Sequence, residues 1–359
     1  MWRRAYKNGL ILLNGLGFYG KLIDEIYEKH LGHKKIIGFE RGKPVYSMFF
    51  PPFLSDSYRN FLLEMVFGLL LNARGPSVVS FAVTDRCNSE CEHCIFRSKR
   101  EEKTPMNLEE ISRCIREFHE LGVISVTMVG GEPLMHPDIV QIINLFGKTK
   151  INLVVFTNGS LLAEKAASLR RAGLNRVMVS IDFPDPEKHD AFRKHRGLFE
   201  KATAGIHQAR KEKMFVGMST TITPRTTLDD LSGLFELCRQ LKICEVFIIK
   251  EYYPQDQVWY QDGLDDEFSQ LITTINHDPR YKFGIFYYPH FSNAGFGCSA
   301  GGIRVYITPY GDVTPCDSSR VSFGNMKTDR LGVIWEKMSQ TPHLGFVSKN
   351  GCRARRGLI

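Results

Sequence analysis

Three cysteines, Cys87, Cys91 and Cys94, fall within eight residues of the stretch T-D-R-C-N-S-E-C-E-H-C. With nine cysteines in 359 residues, this three-then-two spacing arises by chance about 0.006 times in such a chain. Disulfide scaffolds belong to small, cysteine-dense secreted chains, so metal or iron–sulfur ligation is the chemistry to consider. Two donor arrangements fit. Tetrahedral zinc takes four ligands, and His93, wedged between Cys91 and Cys94, offers a fourth. A four-iron cluster on three thiolates instead keeps one iron open to a further ligand.

Other polar motifs follow at intervals. Gly130-Gly131-Glu132-Pro133 pairs two glycines, which allow close backbone approach, with an acid able to accept from an ammonium group. Thr157-Asn158-Gly159 is a polar turn. In Ser180-Ile181-Asp182 a two-residue period puts Ser180 and Asp182 on one side. Ser219 and Thr221 share a face, and Lys250 and Glu251 stand beside Tyr252 and Tyr253.

These motifs need a frame. From about Ser77 to Pro254 the chain alternates β-branched apolar runs with helical periodicity. SVVSFAVT, VISVTMV, INLVVFTN, RVMVSIDF, MFVGMSTTIT and EVFIIKEYY read as buried strands. LEEISRCIREFHELG, DIVQIINLFGK and the stretches 161–172, 199–212 and 228–241 read as helices. Six such steps predict an α/β fold with a parallel sheet, curved into a partial barrel. Every motif above lies at the C-terminal end of a strand, where such sheets do their chemistry.

On these residues, from 78 to 254, the chain resembles the radical S-adenosylmethionine superfamily. The resemblance implies a partial (β/α)6 barrel in which Cys87, Cys91 and Cys94 hold a catalytic [4Fe-4S] cluster. The open iron would chelate the amine and carboxylate of S-adenosylmethionine, and reduction would yield a 5′-deoxyadenosyl radical that abstracts a substrate hydrogen. Gly130, Gly131, Glu132, Pro133, Asn158, Ser180 and Asp182 would position the cosubstrate, and His93 would pack over it. A low-potential electron donor such as flavodoxin or ferredoxin is implied. Peptides or proteins are the substrates of many such enzymes, while others act on lipids, tetrapyrroles or small metabolites. A zinc-stabilised binding protein and an electron-transfer iron–sulfur protein stand as readings outside the enzyme class.

Cys298, Cys316 and Cys352 lie beyond this region. Val305–Thr308 and Val313–Thr314 read as a hairpin around Pro309-Tyr310-Gly311-Asp312, which would bring Cys298 and Cys316 together. This resembles the SPASM or Twitch extension of the same superfamily and implies an auxiliary [4Fe-4S] cluster on these three cysteines. With so few cysteines, a single-cluster, Twitch-like version is the better match. Cys114, Cys238 and Cys244 continue apolar runs and are expected in the core.

The expected organisation is an N-terminal helical and hairpin extension over 1–76, the barrel over 77–254 and the cluster domain over 255–359. IIGFERGKPVYSMF is the expected hairpin, between apolar helical runs within 1–30 and over 55–71. With 43% apolar and 24% charged residues the chain is neither disordered nor fibrous. Its net charge is 47 − 39 = +8, read first as a solvated, mildly basic surface and second as one that suits acidic lipid headgroups or phosphorylated ligands; no nucleic-acid partner is expected. The opening MWRRAYKNGLILLNGLGFYGKLI has signal-like charges, but Asn14 and several glycines interrupt its apolar run. A cytoplasmic protein is expected; the two apolar helical runs either pack on the barrel, the favoured reading, or make peripheral membrane contact through Trp2, Arg3, Arg4, Lys7 and the apolar residues after them.

Overall fold

The computed structural model describes residues 35–59, 75–96, 102–250, 262–287, 298–342 and 344. The hairpin expected near the N-terminus is present. β1 (Gly38–Glu40) and β2 (Lys43–Val45) pair across Arg41-Gly42. Both turn residues have positive φ, 50° and 75°, the handedness a two-residue hairpin loop requires. The helical runs expected within 1–30 and over 55–71 lie outside the described residues, apart from a first helical turn at 56–59.

The main sheet follows. β3 (Val78–Ala82), β4 (Ser125–Val129), β5 (Asn152–Thr157), β6 (Arg176–Ser180), β7 (Phe215–Ile222) and β8 (Glu245–Lys250) pair in parallel in chain order. This is the six-step arrangement that the alternation predicts. Two further strands of the same direction extend it: β9 (Gly284–Tyr287) beside β8, and β10 (Arg304–Ile307) beside β3. β11 (Val313–Thr314) turns back antiparallel to β10 and forms the expected hairpin, with Ile307 opposite Val313. Strands from beyond residue 254 thus supply both edges of one nine-stranded sheet among the described residues.

The connecting helices are α1 (Leu108–Glu120), α2 (Ile139–Gly147), α3 (Leu162–Arg171), α4 (Pro186–Arg193), α5 (Leu198–Lys211), α6 (Leu228–Gln240) and α7 (Asp262–His277); α8 (Leu331–Ser339) follows the hairpin. α1 and α6 start where a side chain can replace the missing backbone partner. Asn107 with Glu110, and Thr227 with Asp230, form reciprocal caps. α4 is not among the helices the periodicity predicts. It is eight residues long, capped by Asp185 with Pro186 in its first turn.

Period-two alternation divides the strands between two apolar regions. Val155, Val177, Val179, Val246 and Ile248 face the helices and join the main core. Their neighbours Val154, Met178 and Phe247 face the concave side and pack with Met48 and Phe49. The N-terminal segment therefore enters the barrel from the end where the strands begin. Phe49 lies 4.9 Å from Phe247 and 5.4 Å from Phe286, ring centre to ring centre, which closes that end. Cys114 and Cys238 are fully buried as expected, and the half-buried Cys244 puts its thiol 3.6 Å from the Met48 sulfur.

Candidate functional site

At the other end, the loop after β3 carries Cys87, Cys91 and Cys94. Its entry is clamped by the turn after β4: the Gly131 amide donates to Thr84 O and the Glu132 amide to Arg86 O, each at 2.7 Å. Gly130 has φ +135°, and a Cβ there would lie 2.3 Å from Thr84 O. At Gly131 a Cβ would lie 2.1 Å from Arg86 O. The close approach these glycines permit is to the chain's own cysteine loop. Pro133 opens the short helical turn 133–135 behind them.

Glu132 is almost wholly buried, at 1% exposure. Its carboxylate accepts from the Leu134 amide (3.0 Å), the Thr157 hydroxyl (2.7 Å) and the Asn158 amide (2.7 Å). Burial pushes its carboxyl above the usual range against these three donors. The residue ties the end of β4 to the end of β5. Asn158 carries the tie onward: its side-chain amide donates to Asn88 Oδ1 at 2.8 Å and to the Ser89 hydroxyl at 3.3 Å. Asn88 and Ser89 stand between the first two cysteines, and Ser89 Oγ lies 3.0 Å from His195 Nδ1.

Ser180 and Asp182 both reach across to β7. The Ser180 and Ser219 hydroxyls are 2.9 Å apart, and Asp182 accepts from the Thr221 amide at 3.0 Å. The second Asp182 oxygen meets Arg193 Nε, at the end of α4, at 2.6 Å. Burial alone would raise this carboxyl, but Arg193, with His93 and His189, outweighs it and holds it at about 2. α4 also docks on the cysteine loop directly. Phe192 stacks on His93 with centroids 4.6 Å apart and planes 7° from parallel, and Phe192 O accepts from the Glu92 amide at 3.4 Å. His93 is thus a packing residue in this structure.

Cys91 is buried at 8% exposure, while Cys87 and Cys94 are half-buried. Burial pushes the Cys91 thiol up to about 11, with Arg193 pulling it back down. A buried thiol of this kind becomes a thiolate only with positive charge or metal at hand. Among the described residues no three His, Cys, Asp or Glu side chains already form a metal-holding group. The ligand set is therefore one of spacing and placement: three soft sulfur donors on one braced loop, a set that suits iron–sulfur ligation.

On the C-terminal side, Gly301 N donates to Pro315 O at 3.2 Å and the Thr314 hydroxyl to Cys316 O at 2.8 Å. The segments carrying Cys298 and Cys316 therefore run side by side at the open end of the hairpin. Cys352 lies outside the described residues, as do the Lys250 side chain and Glu251, Tyr252 and Tyr253. Tyr306 of β10 stacks on Phe96 at 5.8 Å, and Tyr310 donates to Asp85 at 3.0 Å, so the hairpin walls the cysteine loop. Arg193, His189 and Tyr306 were not singled out by the sequence reading, while Asn88, Ser89 and Thr157 lay within its motifs without a role of their own. The D-P-E-K-H-D run, an N-cap followed by proline, is the sequence signal that locates α4 and with it Arg193.

Comparison with known proteins then adds independent findings. Residues 81–238 match the radical SAM superfamily model, and residues 298–354 match SPASM, an iron–sulfur cluster-binding domain. The chain is 28% identical over 299 residues to an AdoMet-dependent heme synthase of Methanosarcina barkeri, covering 75% of this chain and 84% of that one. It is 24% identical over 281 residues to the antilisterial bacteriocin subtilosin biosynthesis protein AlbA of Bacillus subtilis, covering 72% of this chain and 59% of that one. The structure of Streptococcus suis SuiB bound to S-adenosylmethionine superposes with a TM-score of 0.62 at 17% identity, over 80% of this chain and 71% of that one.

Proposed function

We propose, from the premise that the chain belongs to the radical S-adenosylmethionine superfamily and carries a SPASM iron–sulfur domain, that the Cys87–Cys94 loop holds its catalytic cluster. The protein is an enzyme whose cofactors are a [4Fe-4S] cluster and S-adenosylmethionine, with auxiliary iron–sulfur ligation in the SPASM domain. When bound, the reduced cluster supplies the electron that cleaves S-adenosylmethionine to the radical that takes a substrate hydrogen. The chain's own residues bind, orient and exclude water. The observation that carries the site assignment is the brace itself. The turns after β4 and β5 meet the cysteine loop through the Gly131 and Glu132 amides and the Asn158 side chain, so loop and turns are tied together.

In this reading Cys87, Cys91 and Cys94 are the catalytic ligands. Gly130, Gly131, Glu132, Pro133 and Asn158 hold the loop and the cosubstrate, while Ser180 and Asp182 line the adjoining wall. Cys298, Cys316 and Cys352 hold an auxiliary cluster. A reductant is needed; a flavodoxin or ferredoxin fits the low potential required, and a cytoplasmic setting keeps the thiolates reduced. Among the described residues no helix is long and apolar enough to cross a membrane. The basic, apolar residues 1–30 and the exposed Phe39 (64%) and Leu54 (49%) support peripheral contact with an anionic surface.

A peptide or protein is the favoured substrate, supported by the likeness to AlbA. The heme-synthase relative, which shares more identity over more of its own length, supports a tetrapyrrole as the second reading. Anaerobic incubation with dithionite and S-adenosylmethionine tests the site. Cys91→Ala should make no 5′-deoxyadenosine while unfolding at the wild-type temperature, and undiminished cleavage would end the assignment. Wild type should carry about eight irons and the Cys87/Cys91/Cys94 triple alanine variant about four, as two four-iron clusters require. Stimulation of cleavage by a peptide fraction or by a metalloporphyrin separates the two substrate readings.

A further inference from the structure

The site as described leaves one charge without an assigned role. Arg193 is buried, with 9% of its side chain exposed, and its partner Asp182 is wholly buried. Its helix does not merely pass nearby. α4 and the residues just past its end grip the cysteine loop at three places between the ligands: His195 at Ser89, the Phe192 carbonyl at Glu92, and the Phe192 ring on His93. That grip fixes the guanidinium within electrostatic reach of both Cys91 and Cys94.

We infer that Arg193, anchored by Asp182, is the buried counter-charge that sets the reduction potential of the cluster on the Cys87–Cys94 loop. It is a positioning residue that acts through the thiolates, and the inference rests on the loop being the cluster site. The physics is elementary. Each electron added to a thiolate-bound cluster adds negative charge, and a fixed cation in a low-dielectric surrounding favours the reduced form. Cluster potentials follow net charge and the groups around the sulfurs. Asp182 offsets part of that cation, so the pair sets the field by its difference. This also gives Asp182 a different role from a cosubstrate ligand: one of its oxygens is taken by Arg193 and the other by the Thr221 amide.

The test is an EPR-monitored redox titration of the reconstituted enzyme without S-adenosylmethionine, following the cluster signal that the cosubstrate later perturbs, with iron counted on every sample. Arg193→Gln should lower the reduced-to-oxidised ratio at a given potential about tenfold, which is 59 mV for one electron. Arg193→Lys, which keeps the charge, should stay near wild type. Asp182→Asn, which removes the opposing charge, should shift the ratio the other way. Full iron with an unmoved potential in Arg193→Gln overturns the inference and leaves the site assignment standing. If Arg193→Gln loads no iron, Asp182→Asn decides, and an unmoved potential there overturns the inference equally. Asp182→Asn that keeps its potential but binds S-adenosylmethionine more weakly would return Asp182 to the cosubstrate. A cluster signal that S-adenosylmethionine still perturbs in the Cys87/Cys91/Cys94 triple alanine variant would overturn both the inference and the reading beneath it.

Discussion

The two ends of the barrel use the same chemical pair for opposite purposes. The concave face of β6 runs Arg176, Met178, Ser180 and, just past the strand, Asp182. At the end where strands begin, Arg176 meets Glu40 at 2.7 Å and donates to Met48 O (3.2 Å) and Phe50 O (3.0 Å). Glu245 on β8 accepts from the Met48 amide at 2.7 Å. The charges there stitch an incoming segment to the sheet, and the Phe49 cluster fills the space. At the other end, Asp182 takes Arg193 and the Thr221 amide, and the pair stands beside the cysteine loop, where Phe192 stacks on His93. A buried ion pair does not announce a site. What distinguishes the ends is what stands around the guanidinium: the Met48 and Phe50 carbonyls of an incoming segment at Arg176, the cysteine loop at Arg193.

The carboxyls record the same contrast. Asp182 is held at about 2 because a full cation touches it. Glu245 is pushed up to about 7, since burial outweighs the Met48 amide, Ser47 and an Arg176 whose closest partner is Glu40.

Three substitutions sharpen or break this comparison. The largest effect is expected from Gly131→Ala. Its Cβ would sit 2.1 Å from Arg86 O, so the turn and the cysteine loop must separate. The variant should lose most iron at the loop and all 5′-deoxyadenosine formation, with the far end intact. Normal iron content would show that the brace is dispensable. Next comes Arg176→Met. Leaving Glu40 and the Met48 and Phe50 carbonyls without their cation should cost about 3–5 kcal/mol in denaturant unfolding. Cluster potential should not move, and a shift would erase the distinction between the ends.

The smallest effect is the pH-dependent one. A carboxyl raised from 4.5 to about 7 in the folded protein binds more protons folded than unfolded between those values. Its contribution is therefore complete below about pH 4.5 and is lost as pH rises towards 7, by about 3 kcal/mol in all. Glu245→Gln stays uncharged and can still accept from Met48. It should match wild type near pH 5 and exceed it by up to about 3 kcal/mol at pH 8. A difference that does not change with pH would mean Glu245 is not buried as a proton-holding carboxyl.

Much of the frame was legible before any coordinates. Continuous β-branched runs and helical periodicity located β3 to β8 and five of the helices, because both signals are local. The reading stopped at elements too short or too distant to leave a pattern. α4 is eight residues long, barely two turns, so its periodicity says little. β10 looks like half of a hairpin, and nothing in its four residues reveals that Val305 pairs with Val79.

The candidate site divides along the same line. Residue type and spacing alone pointed to the candidate sulfur donors, the glycine turn and the strand ends that carry them, since ligand chemistry demands certain atoms at certain intervals. Only the tertiary structure decided what each polar residue is for. The two glycines face Thr84 and Arg86, Glu132 spans two turns, and Asp182 answers to an arginine eleven residues later. The plug is more remote still, with Met48 bound to Glu245 across 197 residues. The reason is physical. A hydrogen bond or an ion pair depends on which groups are brought within about 3 Å of each other, and for residues far apart in the chain that distance exists only once the sheet has closed around them.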